Sequence, residues 1–211
     1  SIGQGNLIAF GSGAGILLDH SGSNTQVIGN TIRNNTLSGI QLVNSTNAAI
    51  LSNRIFANGS LGIDLNNNGV TANDTNDSDF GPNQLLNFPQ IAAINVTGAN
   101  QLIYNFSLDV PAYAPGYRIE FFANSAADPS GFGEGERYLG HVDIDHAGGV
   151  RTFTGTLTTL QPIAMGDITF LPVIPKPEKI VCAVRNYMDH HQEVLAAGMH
   201  RELSEEPPIF L

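Results

Sequence analysis

Short runs of alternating hydrophobic and polar residues repeat along the first third of the chain with a period of 23 to 24 residues. One motif, an asparagine followed two positions later by isoleucine, begins at Asn6, Asn30 and Asn53. A second motif, glycine-isoleucine-x-leucine, recurs with the same two spacings and begins at Gly15, Gly39 and Gly62. The alternation predicts short strands with one face turned inward, and the shared period predicts that successive units stack on one another.

Units of this length, built from brief strands and polar turns without a helical period, are typical of a parallel β-helix. Stacked isoleucine and leucine side chains are expected to fill its interior. Asn6, Asn30 and Asn53 are expected to form a ladder whose amides bond the unpaired backbone at a turn. The glycine before each second strand suits a tight turn. Leucine-rich repeats are the competing solenoid, but their leucine spacing is absent.

From about residue 90 the pattern changes to longer alternating strands. Tyr104, Phe106, Leu108 and Val110 alternate with polar residues, which predicts a half-buried strand. Further strands are predicted at 117–125, 136–145 and 150–160, with "DHAGGV" as a hairpin between the last two. This spacing favours an antiparallel β-sandwich of the Ig-like kind.

The amino-acid sequences of both segments resemble those of a known protein family. Residues 1 to 160 resemble bacterial right-handed parallel β-helix repeat proteins, many of them secreted, with a following Ig-like sandwich module. The match rests on the repeats, on the Asp/Asn-rich exit ending in "NFP" at 87–89, and on "RIEFFANSAADPSGFGEGERYLG". The resemblance implies a secreted or surface-attached bacterial protein, and the leading hypothesis is a non-catalytic module, structural or binding, for which a glycan or another surface ligand is the candidate partner. The fold alone does not assign an activity.

The charge of the chain limits the classes of molecule that it can bind. The formal net charge is −10 with only 9 Lys and Arg residues, none of them clustered. Nucleic acid is therefore excluded as a partner, because its binding requires grouped cations. No apolar run approaches the length needed to span a bilayer, and the single cysteine precludes an internal disulfide.

Acidic residues in the exit from the repeats are the candidate metal ligands. Hard oxygen ligands at close spacing suit Ca²⁺, and they are Asp64, Asp74, Asp77 and Asp79. The EF-hand pattern is not met, and the simpler interpretation is that Asp and Asn form Asx-turns. Glu134 and Glu136, near Asp128, are a weaker cation candidate that also suits a polar loop.

A glycan-cleaving enzyme is the catalytic alternative for the repeats, because lyases and hydrolases on such a scaffold need grouped acids or bases. Arg33 and Arg54 occupy different offsets within their repeats, and so do Asp19 and Asp64. These four residues are therefore not expected to form a catalytic row on the surface of the coils.

Composition shifts near residue 163, where Lys, Met, His, Glu and Pro rise. The stretch "NYMDHHQEVLAAG" predicts a helix that places His190 and Glu193 on one face. Residues 166–211 resemble the start of the fumarylacetoacetate hydrolase family catalytic region, through "PKPEKIVC", "NYMDHHQE" and "EEPPIFL". The resemblance implies that His190 is a base oriented by Glu193, in an enzyme that cleaves C–C bonds of acylpyruvate-like diketo acids. It also implies Mg²⁺ or Mn²⁺ bound by acidic residues beyond Leu211, so the chain as given is expected to be inactive.

The sequence thus predicts a mainly β chain in three parts. Residues 1–89 are assigned to the last coils of a right-handed parallel β-helix and its exit loop. Residues 90–163 are assigned to the sandwich, and 164–211 to a strand-helix tail that is a truncated hydrolase-like segment. We interpret the composition break as a fragment or chimera. The open end of the coils at Ser1 is expected to self-associate through its exposed strand edges.

Overall fold

The computed structural model describes residues 5–22, 25–160 and 162–163, and all of them fall in one compact unit, Ser1–Val173. Eight short strands come first and five long strands follow. The short strands are β1 (Leu7–Ala9), β2 (Ile16–Asp19), β3 (Gln26–Ile28), β4 (Thr31–Arg33), β5 (Ile40–Val43), β6 (Ala49–Leu51), β7 (Arg54–Phe56) and β8 (Ile63–Leu65). A short 3₁₀ turn, Pro82–Leu85, precedes β9 (Gln90–Gly98), β10 (Gln101–Val110), β11 (Tyr113–Ala123), β12 (Arg137–His146) and β13 (Gly149–Thr158).

The short strands form three parallel sheets, ordered β1-β4-β7, β2-β5-β8 and β3-β6. Their register repeats the sequence period, since Ile8 lies opposite Ile32 and Ile32 opposite Ile55. Each of the first two turns of chain contributes one strand to each sheet, and the third turn contributes β7 and β8, so the chain winds as a coil with three flat sides. The parallel β-helix that the repeats predict is confirmed.

The interior of the coils is a stack of aliphatic side chains. Ile32, Ile40 and Leu42 in the middle coil are fully buried, because coils above and below cover them. Val27 and Ile55 complete this core together with Ala48. Removing such apolar surface from water is the main stabilising contribution of the stack, roughly 25 cal/mol per Å².

The asparagine ladder predicted at one corner of the coils is confirmed. The backbone N–H of Asn30 donates to Asn53 Oδ1 at 2.9 Å, and Asn6 donates in the same way to Asn30 Oδ1 at 3.0 Å. The side-chain amide of Asn53 donates to the carbonyl of Val27 at 2.7 Å. Each side chain therefore satisfies backbone groups of the preceding coil that have no strand partner at the corner.

A second ladder, which the sequence analysis did not identify, runs beside the first. The backbone N–H of Gly11 donates to Asn35 Oδ1 at 3.0 Å, and that of Asn35 donates to Asn58 Oδ1 at 3.1 Å. Its period is the same 24 and 23 residues. It was missed because its first member is a glycine, so the asparagine motif occurs in only two of the three coils.

Two of the three repeated glycines, Gly15 and Gly39, serve close packing and not the tight turns expected from the sequence. A Cβ atom on Gly15 or Gly39 would lie 2.7 Å from the carbonyl oxygen of the glycine in the next coil. Neither glycine has a positive φ. The corners instead use left-handed backbone at non-glycine positions in register, with φ of 60° at Phe10, 54° at Asn34 and 54° at Ala57.

The long strands form two antiparallel sheets, one of order β13-β10-β9 and one that pairs β11 with β12. Their inner faces share one hydrophobic core, in which Phe106 of β10 and Phe121 of β11 have ring centroids 6.4 Å apart. The strand predicted from alternation around Tyr104 is confirmed as β10. The architecture is that of a β-sandwich, whose described part has five strands, and its Ig-like classification stays a prediction.

The hairpin predicted at "DHAGGV" is wrong. β12 pairs with β11 and β13 pairs with β10, so the chain crosses from one sheet to the other at this turn. Gly148 and Gly149, both with positive φ, make the turn itself as expected. The ring of the buried His146, at the end of β12, forms a hydrogen bond with the carbonyl of Leu108 in the opposite sheet at 3.2 Å. Turn residues indicate where a chain reverses but do not say which strand it joins.

We predict that Asn30→Ala lowers the free energy of unfolding by about 2 kcal/mol. The substitution removes a buried side chain at the corner and leaves the Asn6 N–H without its acceptor. Urea denaturation followed by circular dichroism measures this change. Gln26→Ala, which removes an exposed amide from the neighbouring strand, is the matched control and is expected to change stability by less than about 0.5 kcal/mol. Equal effects of the two substitutions would contradict the role of the ladder.

Candidate functional site

The last coil of the β-helix meets the sandwich at Gly135. The backbone N–H of Ile55 donates to the Gly135 carbonyl at 2.8 Å, and the Gly135 N–H donates back to the Ile55 carbonyl at 2.6 Å. This antiparallel bridge extends the sheet β1-β4-β7 by one partner taken from the segment before β12. Only glycine fits there, because a Cβ atom would lie 2.7 Å from the Phe122 ring.

Glu134 occupies the position that an asparagine of a further coil would occupy in the second ladder. Both the backbone N–H of Asn58, at 3.2 Å, and its side-chain amide, at 3.0 Å, donate to Glu134 Oε1. Asn35 donates to Asn58 Oδ1 through the same two groups, at 3.1 Å and 3.0 Å. The sandwich therefore continues the ladder with a carboxylate in place of an amide.

Glu120 of β11 closes a second corner of the last coil. Its Oε2 accepts the backbone N–H of Ser52 at 2.8 Å, and its Oε1 accepts the Arg118 guanidinium at 3.0 Å. Arg118 in turn donates to the Ser52 hydroxyl at 3.3 Å. A left-handed residue of the coil, Ser52 with φ of 55°, is thus held by an ion pair on the outer face of the sandwich.

Asn83 closes the third corner from the exit loop, which we define as residues 66–89. Its backbone N–H donates to the Ser45 carbonyl at 2.9 Å. Its side chain accepts the Ala48 N–H and donates to the Ala48 carbonyl, both at 2.9 Å. We call Asn83, Glu120, Glu134 and Gly135 the C-terminal cap. Together they bond backbone groups of the last coil that would be unpaired without a further coil.

Burial raises the pKa of Glu134, while its hydrogen bonds from Asn58 act in the opposite direction. The carboxylate is thus charged at a cost within a partly desolvated corner. Glu136, two residues away, behaves differently because hydrogen bonds from Ser125 lower its pKa. Asp128 accepts the backbone N–H of Ser130, at 2.8 Å. These three acids therefore serve separate bonds, and the structure does not assemble them as the cation site that the sequence offered as a weaker candidate.

The exit loop brings three of the four predicted calcium ligands together. Asp74, Asp77 and Asp79 each place a carboxylate oxygen within 4.8 Å of the others, and we call them the acidic cluster. Burial raises the pKa of Asp77, and the nearby carboxylates of the cluster and of Asp109 raise it further. Among the described residues, Asp79 Oδ1 and Asp109 Oδ1 are buried oxygens without a hydrogen-bond partner.

Asn87, in the "NFP" segment, fastens the acidic cluster to the sandwich. Its backbone N–H donates to Asp77 Oδ1 at 2.6 Å, and its side-chain amide donates to the carbonyls of Asp109 at 2.6 Å and Asp74 at 2.8 Å. The buried Asn87 therefore links the loop to strand β10, which contains Asp109. Its importance was not recognised from the sequence, where it is one asparagine among many.

Asp64, the fourth predicted ligand, is not in the acidic cluster. It lies in β8, and its carboxylate accepts the backbone N–H groups of Asn68 at 3.2 Å and Gly69 at 3.3 Å. This is the turn-forming role that short acidic side chains have in loops. Asp74 has a similar bond, since its carboxylate accepts the Ser78 N–H at 3.0 Å.

The remaining candidates are placed as follows. Arg33 lies opposite Phe56 and not opposite Arg54, while Asp19 lies opposite Val43 and Asp64 opposite Gln41. The expected absence of register between these charged residues is therefore seen in the strand pairing. His190 and Glu193 lie outside the described residues, and the hydrolase-like interpretation of the tail stays a prediction.

Comparison with known proteins bears on the fold described above. The model of the right-handed β-helix region matches residues 2–107. The chain belongs to the right-handed β-helix family. The family match covers the three coils, the exit loop and the first part of the sandwich, through β9 and into β10. Neither the curated proteins nor the solved structures include a match to this chain. In the described part of this β-helix protein, no helix has the length and hydrophobicity to cross a membrane.

Sequence reasoning missed the cap residues of this right-handed β-helix protein. Glu120 and Glu134 lie 68 and 76 residues from the groups they bond, Ser52 and Asn58. No repeat or local motif relates such positions. The one usable signal was that the repeat period stops after Leu65, so the last coil has no successor in the sequence and its corner groups need partners from another part of the chain.

We predict that Glu134→Gln raises the free energy of unfolding at about pH 7. A raised pKa means that folding favours the protonated carboxyl, so the charged form weakens the fold above the ordinary pKa of a glutamate. Glutamine keeps the oxygen that Asn58 bonds but carries no charge. The advantage should vanish as the pH falls through the raised pKa and the wild-type carboxyl is protonated. Urea titrations at about pH 7 and about pH 4 measure it, and a difference that grows on acidification would contradict the assignment.

Proposed function

We propose that this chain is a non-catalytic module of a secreted or cell-surface protein, in which the sandwich ends a β-helix and serves structure and binding. The observation that carries the proposal is the substitution of Glu134 and Gly135 for the missing rung of a further coil. A β-helix exposes unpaired backbone at its end, which is a template for unwanted strand addition. A sandwich that bonds this end removes that template from the last coil.

The use of acidic groups supports a non-catalytic role. A glycan-cleaving site needs carboxyl groups that are free to reach a glycosidic bond. In this chain Glu120, Glu134 and Asp64 all accept backbone N–H groups at loop or coil ends. These carboxylates therefore stabilise the fold through hydrogen bonds and are not free to reach a substrate. Binding of a glycan or another surface ligand remains compatible with such a scaffold, because it requires no activated acid.

The capping role is tested with the double variant Glu120→Ala, Glu134→Ala. It leaves the N–H groups of Ser52 and Asn58 without protein partners, so we expect a loss of about 2 kcal/mol in the free energy of unfolding. We also expect concentration-dependent self-association in sedimentation velocity, because the end of the last coil is then open. Glu136→Ala is the matched control, because the Glu136 carboxylate accepts its hydrogen bonds from Ser125 of the sandwich and its backbone bonds are kept in alanine. A double variant as stable and as monodisperse as this control would refute the proposal.

We further propose that the acidic cluster binds Ca²⁺ and thereby fixes the exit loop to the sandwich. Carboxylate oxygens are the ligands that Ca²⁺ prefers. Support comes from the close approach of the cluster carboxylates and from the buried, unpartnered oxygens of Asp79 and Asp109. Burial and then the nearby carboxylates raise the pKa of Asp77, and a divalent cation would offset both costs of its negative charge.

Calcium binding predicts a rise in melting temperature when CaCl₂ is added to protein treated with a chelator. A concentration of about 100 times Kd would stabilise the fold by about 2.7 kcal/mol. Asp77→Asn combined with Asp79→Asn should abolish the shift, whereas Asp143→Asn, an exposed acid on the sandwich, should leave it intact. MgCl₂ is expected to have a smaller effect, because Mg²⁺ requires near-ideal octahedral coordination and gives up its bound waters reluctantly. An equal shift in both variants would show that the cluster is not the site.

Self-association through the first coil is a separate proposal. Leu7, Phe10 and Leu17 are more than half exposed, and β1, β2 and β3 each have a described strand partner on one side only. A second copy of the chain is the occupant we propose for this apolar edge, since strand addition satisfies its free backbone groups.

A further inference from the structure

A cavity of about 470 Å³ lies between the last coil and the sandwich. One wall is the end of the aliphatic stack, with Ile55, Leu61 and Ile63, and the opposite wall is aromatic, with Phe122 and Phe132. We call this space the end cavity. It lies where the interior of a further coil would be, and Glu120, Glu134 and Gly135 of the C-terminal cap line it.

The aliphatic stack is interrupted at this point and not completed. Ile40 is fully buried because coils lie on both sides of it, whereas Ile63, the next residue of the same column, is 42% exposed. The C-terminal cap thus satisfies the backbone of the last coil but does not cover its hydrophobic interior. Phe88 and Leu86 at the edge of the cavity are also about two-fifths exposed.

The chemistry of the walls indicates what would fill the space. Aliphatic and aromatic side chains dominate, and the polar side chains include Asn53, Glu120 and Glu134. Asn53 and both glutamates already bond groups of the coils. An ordered water needs two to four polar partners, which such walls supply poorly. The two carboxylates also make the cavity unfavourable for an anion.

We propose that the end cavity binds one small uncharged apolar molecule. Its volume is within the range of about 300–1,000 Å³ typical of ligand pockets. An enclosed cavity of about 150 Å³ holds benzene, and the end cavity, which is larger and open to solvent beside Ile63, suits a molecule of two or three aromatic rings or a comparable aliphatic one. Binding would cover Ile63 and join the stack of the β-helix to the aromatic residues of the sandwich. This site is independent of any ligand on the outer surface.

The test uses two fluorescent probes that differ by one sulfonate group. N-phenyl-1-naphthylamine is uncharged, and 8-anilinonaphthalene-1-sulfonate is its anionic analogue. We expect saturable binding of the uncharged probe with one molecule per chain, at least tenfold tighter than that of the sulfonate. Absence of saturable binding, or equal or tighter binding of the sulfonate, would overturn the proposal.

Matched variants locate the probe. Ile63→Trp places a large ring in the end cavity, whereas Ile28→Trp changes an isoleucine of the same β-helix with similar exposure, 47% against 42%, that does not line it. We expect Ile63→Trp to weaken binding of the uncharged probe at least tenfold and Ile28→Trp to leave it unchanged. Equal affinities of two folded variants would place the probe elsewhere and refute the site.

A second blocking variant guards against misfolding of the first. Gly133 lines the end cavity, has no positive φ, and has no atom within 4 Å of the position its Cβ would take. Gly133→Phe is therefore compatible with the fold and should also weaken binding of the uncharged probe. Gly98→Phe, at an equally open glycine away from the cavity, is its control. Retention of wild-type affinity in Gly133→Phe would contradict the proposal even if Ile63→Trp failed to fold.

Discussion

Every coil of a parallel β-helix depends on the next one for hydrogen bonds, and this dependence shapes the described structure. Within the flat sides, strand pairing between coils meets the requirement. At the corners the chain turns through left-handed backbone, as at Asn34 and Ala57, and strand pairing stops. Side-chain amides of the neighbouring coil then take the place of the missing partners, in the ladders that contain Asn30 and Asn35. Glycines such as Gly39 let the coils approach closely enough for these bonds to form.

The same requirement explains how the coils end. Because the last coil has no successor, its corner groups are bonded by side chains that arrive from distant segments, with Glu120 and Glu134 as the clearest cases. Acceptors on the sandwich can imitate the polar rim of a coil, but the sandwich has no aliphatic column to imitate its interior. The end cavity beside Ile63 is the consequence of that mismatch. Within the stack, each coil both bonds the backbone of its neighbour and covers its hydrophobic side chains. At the end of the stack the backbone groups are bonded, but the hydrophobic side chains are not fully covered.

The exit loop joins the two architectures through a small number of bonds centred on Asn87. This residue contacts the acidic cluster and strand β10 at once, so the position of the loop and that of the sandwich are coupled. Burial, and after it the neighbouring carboxylates, raise the pKa of Asp77, so negative charge on the acidic cluster opposes this arrangement. Neutralising that charge, by a cation or by protonation, would act on the connection between the two parts of the molecule.

The period of 23 to 24 residues by itself determined the β-helix, the register of Ile8, Ile32 and Ile55, and the first asparagine ladder, because stacking turns sequence spacing into spatial neighbourhood. Alternation likewise determined the long strand β10. Only the tertiary structure decided which strands pair in the sandwich, where a turn such as that after His146 reverses the chain without choosing its partner. It also decided that Asp74 approaches Asp77 and Asp79 while Asp64 does not, and that Glu134 completes a ladder 76 residues away. These contacts join segments that share no period, so only packing brings them together.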